Sequence, residues 1–263
     1  MPLALQKLGA SSTNDNYYVH TQRGHYLLRH YSPHVTGVCR QQELRCQHAA
    51  AAVGVAPAPL CLNNHQRILI SEFLTHSRHF DWEQMHHLLP QLVQKLVNLH
   101  RLKVQTPQLE PEAYLVQLAE KARQAGWSDA DDWNFAALIK AARQFAALPS
   151  DIVLCHLDLH SGNILLQHQQ IYLIDYEYCQ LADSSLDLAA LALNLQMDKK
   201  EERALIEAYQ KFRPHSNPTE KLPLAKLLYS GFCWLWFKTL PGATDKVAQA
   251  QQTLSQLFSS NTA

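Results

Sequence analysis

"CHLDLHSGNILL", residues 155–166, crowds His156, Asp158, His160 and Asn163 into one short segment before the chain turns apolar at Ile164. Such a cluster is a metal-ligand set, a catalytic loop or a polar turn between buried strands. Its flanks frame the choice. "DIVLCH" comes before it, and "NILLQ", the turn "HQQ" and "IYLID" come after, so the loop opens a β-hairpin. Antiparallel pairing of those two strands sets Asn163 near Asp175, the last residue of the second run.

Outward from this hairpin the pattern changes. Residues 16–31, "NYYVHTQRGHYLLRHY", hold two β-prone runs around "TQRG", which predicts a hairpin with Gly24 in its turn. "VCRQQELRCQHAAAAV" is rich in helix formers and stops at Gly54. "VAPAPL" is extended, because a residue before proline avoids the α region. "CLNNHQRILISEFL" predicts a second hairpin. "HHLLPQLVQKLVNLHRL" spaces Leu88, Leu92, Leu96 and Leu99 three or four apart, an amphipathic helix with Pro90 in its first turn. Residues 111–148, and the chain from Ser184 to Leu257, read as helices. The expected fold is α+β in two lobes. Residues 1–75 form a small β-rich lobe with one helix; residues 76–263 form a larger, mostly helical lobe whose short β insertion carries the polar loop.

Bulk composition narrows the function classes. With 263 residues, 47% of them hydrophobic and 17% charged, the chain folds as an ordinary globular protein and not as a disordered one. Its formal net charge is zero and no basic block stands out, which argues against a nucleic-acid partner. Six cysteines without a CxxC pair read as reduced thiols, and the N-terminus lacks a secretory signal pattern, so a cytoplasmic location is expected. No membrane partner is expected either. The richest apolar run, "LLYSGFCWLWF", is shorter than the roughly 20 residues of a spanning helix and reads as a buried one. Fifteen histidines raise the question of a zinc hydrolase. No HExxH motif is present, and His20, His25, His30 and His34 share no common face.

The loop then resolves into chemistry. Asn163 and Asp175 offer hard oxygen ligands of the kind Mg²⁺ takes alongside phosphate oxygens and water. Asp158 is left as a base beside the metal shell. That set matches phosphoryl transfer, in which an Asp accepts the proton of the attacking hydroxyl while Asn and Asp hold the metal on a nucleotide. The phosphates need a cation, and "YLLRHY" supplies Arg29 on a strand, with Glu43 on the following helix as its partner. Arginine keeps its charge when buried and grips phosphate bidentately.

"HLDLHSGNILL" followed by "IYLIDYEY" resembles the HxDxxxxN motif and downstream Asp of the aminoglycoside phosphotransferase superfamily, a kinase-like group. Its "ID-aromatic-E" form is most similar to the choline/ethanolamine kinase and thiamine kinase branch. "GASSTNDNYYV", "VGVAPAPL", "ISEFL" and "SLDLAAL" extend the resemblance over most of residues 9 to 195. It implies a bilobal protein-kinase-like fold with ATP between the lobes and the adenine against Glu72 and Phe73. It implies Asp158 as the base, Asn163 and Asp175 as Mg²⁺ ligands, and Arg29 on the phosphates with Glu43 orienting it. Asp187 is then a structural acid, and Glu177 contacts a second metal or the substrate cation.

The first loop has no GxGxxG. Phosphate cradling therefore falls to the "SSTNDN" turn, with Ser12, Asn14 and Asn16 as donors. His156 reads as a prop of the loop, and His160 as loop support or a substrate contact. Trp234 and Trp236 lie in an all-round apolar helix, where aromatics are core; a cationic substrate would alternatively use them as a cage. The expected activity is ATP- and Mg²⁺-dependent phosphorylation of a hydroxyl on a small cationic alcohol such as choline, ethanolamine or thiamine. An aminoglycoside-type phosphotransferase and a catalytically silent kinase-fold module are the alternatives.

Overall fold

The structure, a computed structural model, describes residues 2–9, 14–32, 38–128, 133–214, 216 and 218–261. Ser12, one of the expected phosphate donors, lies outside the described residues.

In chain order the first elements are β1 (Ala4–Lys7), β2 (Asn14–Thr21), β3 (Gly24–Tyr31), α1 (Arg40–Ala52), β4 (Pro59–Asn63), β5 (Ile68–Glu72), β6 (Arg78–His79), α2 (Trp82–Met85) and α3 (Leu89–His100). Then follow α4 (Pro111–Gln124), α5 (Trp133–Ala147), β7 (Ile152–Cys155), β8 (Ile164–Gln167), β9 (Gln170–Leu173) and β10 (Gln180–Asp183). The last are α6 (Ser185–Asn194), α7 (Lys199–Phe212), α8 (Pro218–Lys238) and α9 (Thr244–Asn261). Tertiary contacts gather them into two compact units, Met1–Thr106 with His156–Gln180, and Pro107–Cys155 with Leu181–Ala263.

The first unit is built on an antiparallel sheet in the order β1-β2-β3-β5-β4. Thr21 pairs with Gly24, so Gln22 and Arg23 form the two-residue turn of the β2–β3 hairpin. Gly24 has φ +142°, a value that glycine adopts without a Cβ penalty. Arg29 sits on the central strand, opposite Asn16 of β2 and Leu69 of β5, and is only 7% exposed. Helix α1 buries Glu43, Cys46, Gln47 and Ala50 along one face. It ends in a double reverse bond, Val55 N–H to Ala50 O and Gly54 N–H to Ala51 O, made possible by φ +69° at Gly54. A second, three-stranded sheet has the order β6-β8-β9. Ile164 opposes Leu173 and Gln167 opposes Gln170, which places His168 and Gln169 at the turn. Helix α3 lays its buried Leu92, Val93, Leu96, Val97 and Leu99 toward the core of this unit and packs on β9.

Two local readings change on meeting the structure. Asn14 and Asn16 belong to strand β2 and not to a polar turn, because they pair with Tyr31 and Arg29 across β3. Strands β1 and β10 carry no alternating signal: all four residues of β1 are exposed, so its extended form is dictated by pairing with β2.

The second unit holds the paired strands β7 and β10 and the helices from α4 onward, among which α8 packs against α4, α5, α6 and α9. Asp183, 4% exposed, accepts from Lys221 Nζ at 2.6 Å, from Ser185 Oγ at 2.5 Å and from the Asp151 N–H at 3.1 Å. Lys221 and Asp183 are thus buried as a satisfied pair. Among the described residues no helix is long and apolar enough to cross a membrane.

Helix α8 meets α5 at Gly231, where an added Cβ would fall 2.5 Å from Leu138 Cδ2 and 2.7 Å from Cδ1. Leu138 is fully buried and has little room to give. Gly231→Ala is therefore expected to destabilise the protein by about 1–3 kcal/mol through overpacking, outweighing alanine's better helix propensity. A thermal melt would read this as a Tm several degrees lower, and an unchanged Tm would mean that α5 yields freely.

Candidate active site

The polar loop begins where β7 ends. His156 is fully buried, and its Nε2 lies 3.0 Å from the Ile174 carbonyl, so Nε2 carries the proton and donates. This bond ties the loop to the residue just before Asp175. Leu157 then takes φ +66° and Asp175 φ +68°. Left-handed backbone is uncommon outside glycine, and here it occurs just before Asp158 and at Asp175 itself.

From His160 a short 3₁₀ turn runs through Ser161–Asn163. His160 Nδ1 accepts the Gly162 N–H at 3.0 Å. A Cβ on Gly162 would lie 2.7 Å from the His160 ring, which explains the glycine. With Nδ1 accepting, the neutral ring carries its proton on Nε2, and that atom stands 3.8 Å from Asp158 Oδ2. Burial lowers the His160 pKa below its ordinary value despite the opposing field of Asp175.

Asn163 fastens the loop to itself. Its Nδ2 donates to the Asp158 carbonyl at 2.9 Å and to Asp158 Oδ2 at 2.7 Å. Its carbonyl accepts the Ile174 N–H at 3.0 Å, which continues the β8–β9 pairing and brings Asn163 beside Asp175. The amide nitrogen is thereby committed to Asp158, and the amide oxygen is the atom left for a cation.

Asp175 accepts from Arg29 Nη1 at 2.8 Å. Arg29 also donates from Nη1 to Glu43 Oε1 at 3.4 Å and from Nε to Asn16 Oδ1 at 3.3 Å. Burial would lower the Arg29 pKa, but the fields of Asp175 and then Glu43 more than offset it and hold the guanidinium charged. The other Glu43 oxygen accepts from Arg40 Nη1 at 2.8 Å, and the same Nη1 donates to Glu177 Oε2 at 3.0 Å. Arg40 also stacks 3.7 Å above the centroid of Tyr31. The Glu177 pKa is raised, first by burial and then by repulsion from Asp175, with Arg40 opposing both.

Asp158, Asn163, Asp175, Arg29, Glu43, Glu177, Asn16, His156 and His160 are thus brought together in the first unit. Asn14 is buried on the same strand and accepts from the Ser32 N–H at 3.4 Å. Glu72 is exposed at the end of β5, and its N–H donates to Ala58 O at 2.8 Å. Phe73 packs on Tyr18 with ring centroids 4.8 Å apart. Asp187, Trp234 and Trp236 belong to the second unit. Asp187 is fully buried in the first turn of α6. Trp234 is also fully buried, edge-on to Trp127 at 5.7 Å with Lys238 Nζ 4.5 Å over its ring. A ligand cation on Trp234 would have to displace that lysine; Trp236 is half-buried against Phe237.

Arg40 and Tyr31 escape a reading of the sequence. The spacing of Arg40 and Glu43, three apart on one helix face, was the available signal.

Comparison with known proteins bears on the family and the fold. A stretch of 99 residues is 33% identical to the protein LicA of Haemophilus influenzae, covering 36% of this chain and 29% of that protein's length. The crystal structure of choline kinase LicA from Streptococcus pneumoniae superposes with a TM-score of 0.79 over 97% of this chain and 94% of that one, at 20% identity. A structure of LicA in complex with AMP gives a TM-score of 0.76 over 97% and 92% of the two chains, again at 20% identity. At such identities the two structures establish the fold, the α+β kinase-like one expected from the sequence. The family described as phosphotransferase enzyme family (APH) matches residues 4–218. That span takes in both polar motifs and well over half of the chain, which therefore belongs to the phosphotransferase enzyme family.

Proposed function

We propose that the protein is an ATP-dependent small-molecule kinase that phosphorylates the hydroxyl of a small cationic alcohol, with choline, ethanolamine and thiamine as the leading acceptors. The observation that carries this reading is the bond from Asn163 Nδ2 to Asp158 Oδ2, made in a loop whose strand continuation lies beside Asp175. It orients one carboxylate as a base and leaves the amide oxygen of a residue whose backbone pairs with Ile174, the residue before the second carboxylate. Family membership supplies the phosphotransferase class, and a likeness to a protein crystallised with AMP supports an adenine nucleotide as donor.

In this mechanism Asp158 accepts the proton of the acceptor hydroxyl as its oxygen attacks the terminal phosphorus of ATP and the bond from that phosphorus to its bridging oxygen breaks, releasing ADP. Asn163 holds the Asp158 carboxylate still, so that no rotamer search precedes the step. His160, with its proton on Nε2, can donate toward Asp158 or the acceptor and is ill suited to act as a base. Arg29 exchanges part of its contact with Asp175 for a phosphate oxygen, while Glu43 keeps its guanidinium in place. Asn16 on β2 accepts from Arg29 Nε, and Asn14 on the same strand accepts from the Ser32 N–H just past β3.

The residues present fit Mg²⁺. Asp175 and Asn163 offer hard oxygens, and the formal charge of Asp158, Asp175, Glu43 and Glu177 exceeds that of Arg29 and Arg40 by two. When bound, such an ion neutralises charge developing on the phosphates. Glu72 and Phe73 would border the adenine. The formal neutrality of the whole chain suits a singly charged acceptor better than a polycation.

The test is a coupled ADP-release assay with Mg-ATP and choline, ethanolamine, thiamine or an aminoglycoside. One of the first three is expected to turn over with a kcat/KM at least tenfold above the aminoglycoside. Preference for the aminoglycoside would reassign the acceptor class, and release with none of the four would favour a silent nucleotide-binding module.

A further inference from the structure

The site contains an arginine that the phosphoryl-transfer mechanism leaves without a task. Arg40 opens helix α1, and its side chain is 16% exposed. Three groups fix it: the Tyr31 ring at 3.7 Å, Glu43 Oε2 at 2.8 Å and Glu177 Oε2 at 3.0 Å. Glu43 is shared between two cations, Oε1 with Arg29 and Oε2 with Arg40. The result is one chain of charges: Asp175, Arg29, Glu43, Arg40, Glu177. Its ends are two residues apart in sequence, and its middle belongs to α1 and β3.

This arrangement has an electrostatic consequence. Asp175 and Glu177 are close like charges in a partly buried place, where repulsion is strong. Arg29 is bonded to Asp175, and Arg40 to Glu177. Without Arg40, Arg29 would face Asp175 and Glu43 with its companion cation gone. Each carboxylate would then compete with phosphate for that guanidinium. Glu177 would also lose its bond to α1, and with it the segment carrying Asp175 would lose a tether.

We propose that Arg40 is a positioning residue of this site: by bonding both Glu43 Oε2 and Glu177 Oε2 it anchors the Asp175–Glu177 segment to helix α1 and neutralises part of the carboxylate charge that would otherwise compete with phosphate for Arg29. Its role toward phosphate rests on the kinase reading above; its role toward the divalent ion rests only on the geometry of the Asp175 segment. Arg40 touches neither the acceptor nor the reacting atoms in this scheme, so its removal should act on nucleotide and metal and spare the acceptor.

Arg40→Met keeps the length and the contact with Tyr31 while deleting both ion pairs. It is expected to raise KM for Mg-ATP at least tenfold and to leave KM for the best acceptor within twofold; because the lost charge by itself would tighten a cation, a Mn²⁺ affinity weakened at least fivefold by electron paramagnetic resonance titration reports the lost tether of the Asp175–Glu177 segment. Arg40→Lys keeps one charge but cannot reproduce the planar fork, so it should recover part of each loss. A KM for Mg-ATP and a Mn²⁺ affinity both within twofold of the parent would overturn the proposal, as would equal changes in both KM values. If Arg40→Met fails to fold, Arg40→Lys decides alone: a twofold to fivefold loss of Mn²⁺ affinity supports the role, and an unchanged affinity removes it. The Mn²⁺ titration needs no turnover. A parent protein that phosphorylates none of the alcohols would sink the kinase reading and still leave the Arg40 tether open to this measurement.

Discussion

Asp158→Asn is expected to cut kcat for the best acceptor by about 10²–10⁴, the usual contribution of a positioned general base. The amide is nearly isosteric, and its oxygen can still accept from Asn163 Nδ2, which now lies 2.7 Å from Asp158 Oδ2. The loop should therefore keep its shape. Mg-ATP affinity should stay within about threefold, because Asp158 is assigned outside the metal shell. Steady-state kinetics and a thermal melt on the same preparation separate the two effects. A variant that turns over the acceptor within threefold of the parent would show that Asp158 is not the base.

Asp175→Asn is the second large effect. The substitution removes a carboxylate from the candidate metal set and a partner from Arg29 Nη1 at 2.8 Å. Electrostatic stabilisation by a bound divalent ion is worth several kcal/mol, and each ~1.4 kcal/mol is tenfold in rate. Turnover should fall by roughly a hundredfold or more, and the Mg²⁺ concentration for half-maximal rate should rise by at least tenfold. Excess Mg²⁺ should restore part of the rate, which distinguishes a ligand from a structural residue. Activity that keeps its Mg²⁺ dependence unchanged would take Asp175 out of the metal set. Arg29 adds a control, because a variant that loses Asp175 leaves its guanidinium to Glu43 and Asn16 and should bind ATP in the absence of a divalent ion no worse than the parent.

The two predictions draw on geometry of different range. The bond from Asn163 to Asp158 spans five residues, and the hairpin that carries Asn163 back to Ile174 closes through a turn at His168 and Gln169. Both follow from local rules: polar loop residues, apolar alternation in the two strands and a short turn. The β2–β3 and β4–β5 hairpins, helix α1 with its stop at Gly54 and the Pro90 start of α3 are legible for the same reason.

Elsewhere the physics was not local. Strand β1 is exposed along its whole length and extended because β2 pairs with it. Strand β10 is held by β7, from which it is separated by the loop and the β8–β9 hairpin. Asn14 and Asn16, turn-like by composition, become strand residues because cross-strand bonds outweigh their weak β propensity.

For the site, the sequence by itself determined which groups stand as candidates for the chemistry. Asp158, Asn163 and Asp175 occur in one loop and hairpin whose spacing and strand pattern set their neighbourhood, and Arg29 falls on a strand with a helix carrying Glu43 after it. The tertiary structure decided how those groups are charged against one another. Arg29 meets Asp175 across 146 positions and Arg40 meets Glu177 across 137, distances along the chain over which no periodicity or propensity carries information. Whether a strand arginine is buried, which carboxylate it holds, and whether a second arginine shares the work depend on the packing of β3, α1 and the Asp175–Glu177 segment. The reason is physical: a buried ion pair forms only where folding brings both partners into a place too dry to leave either alone.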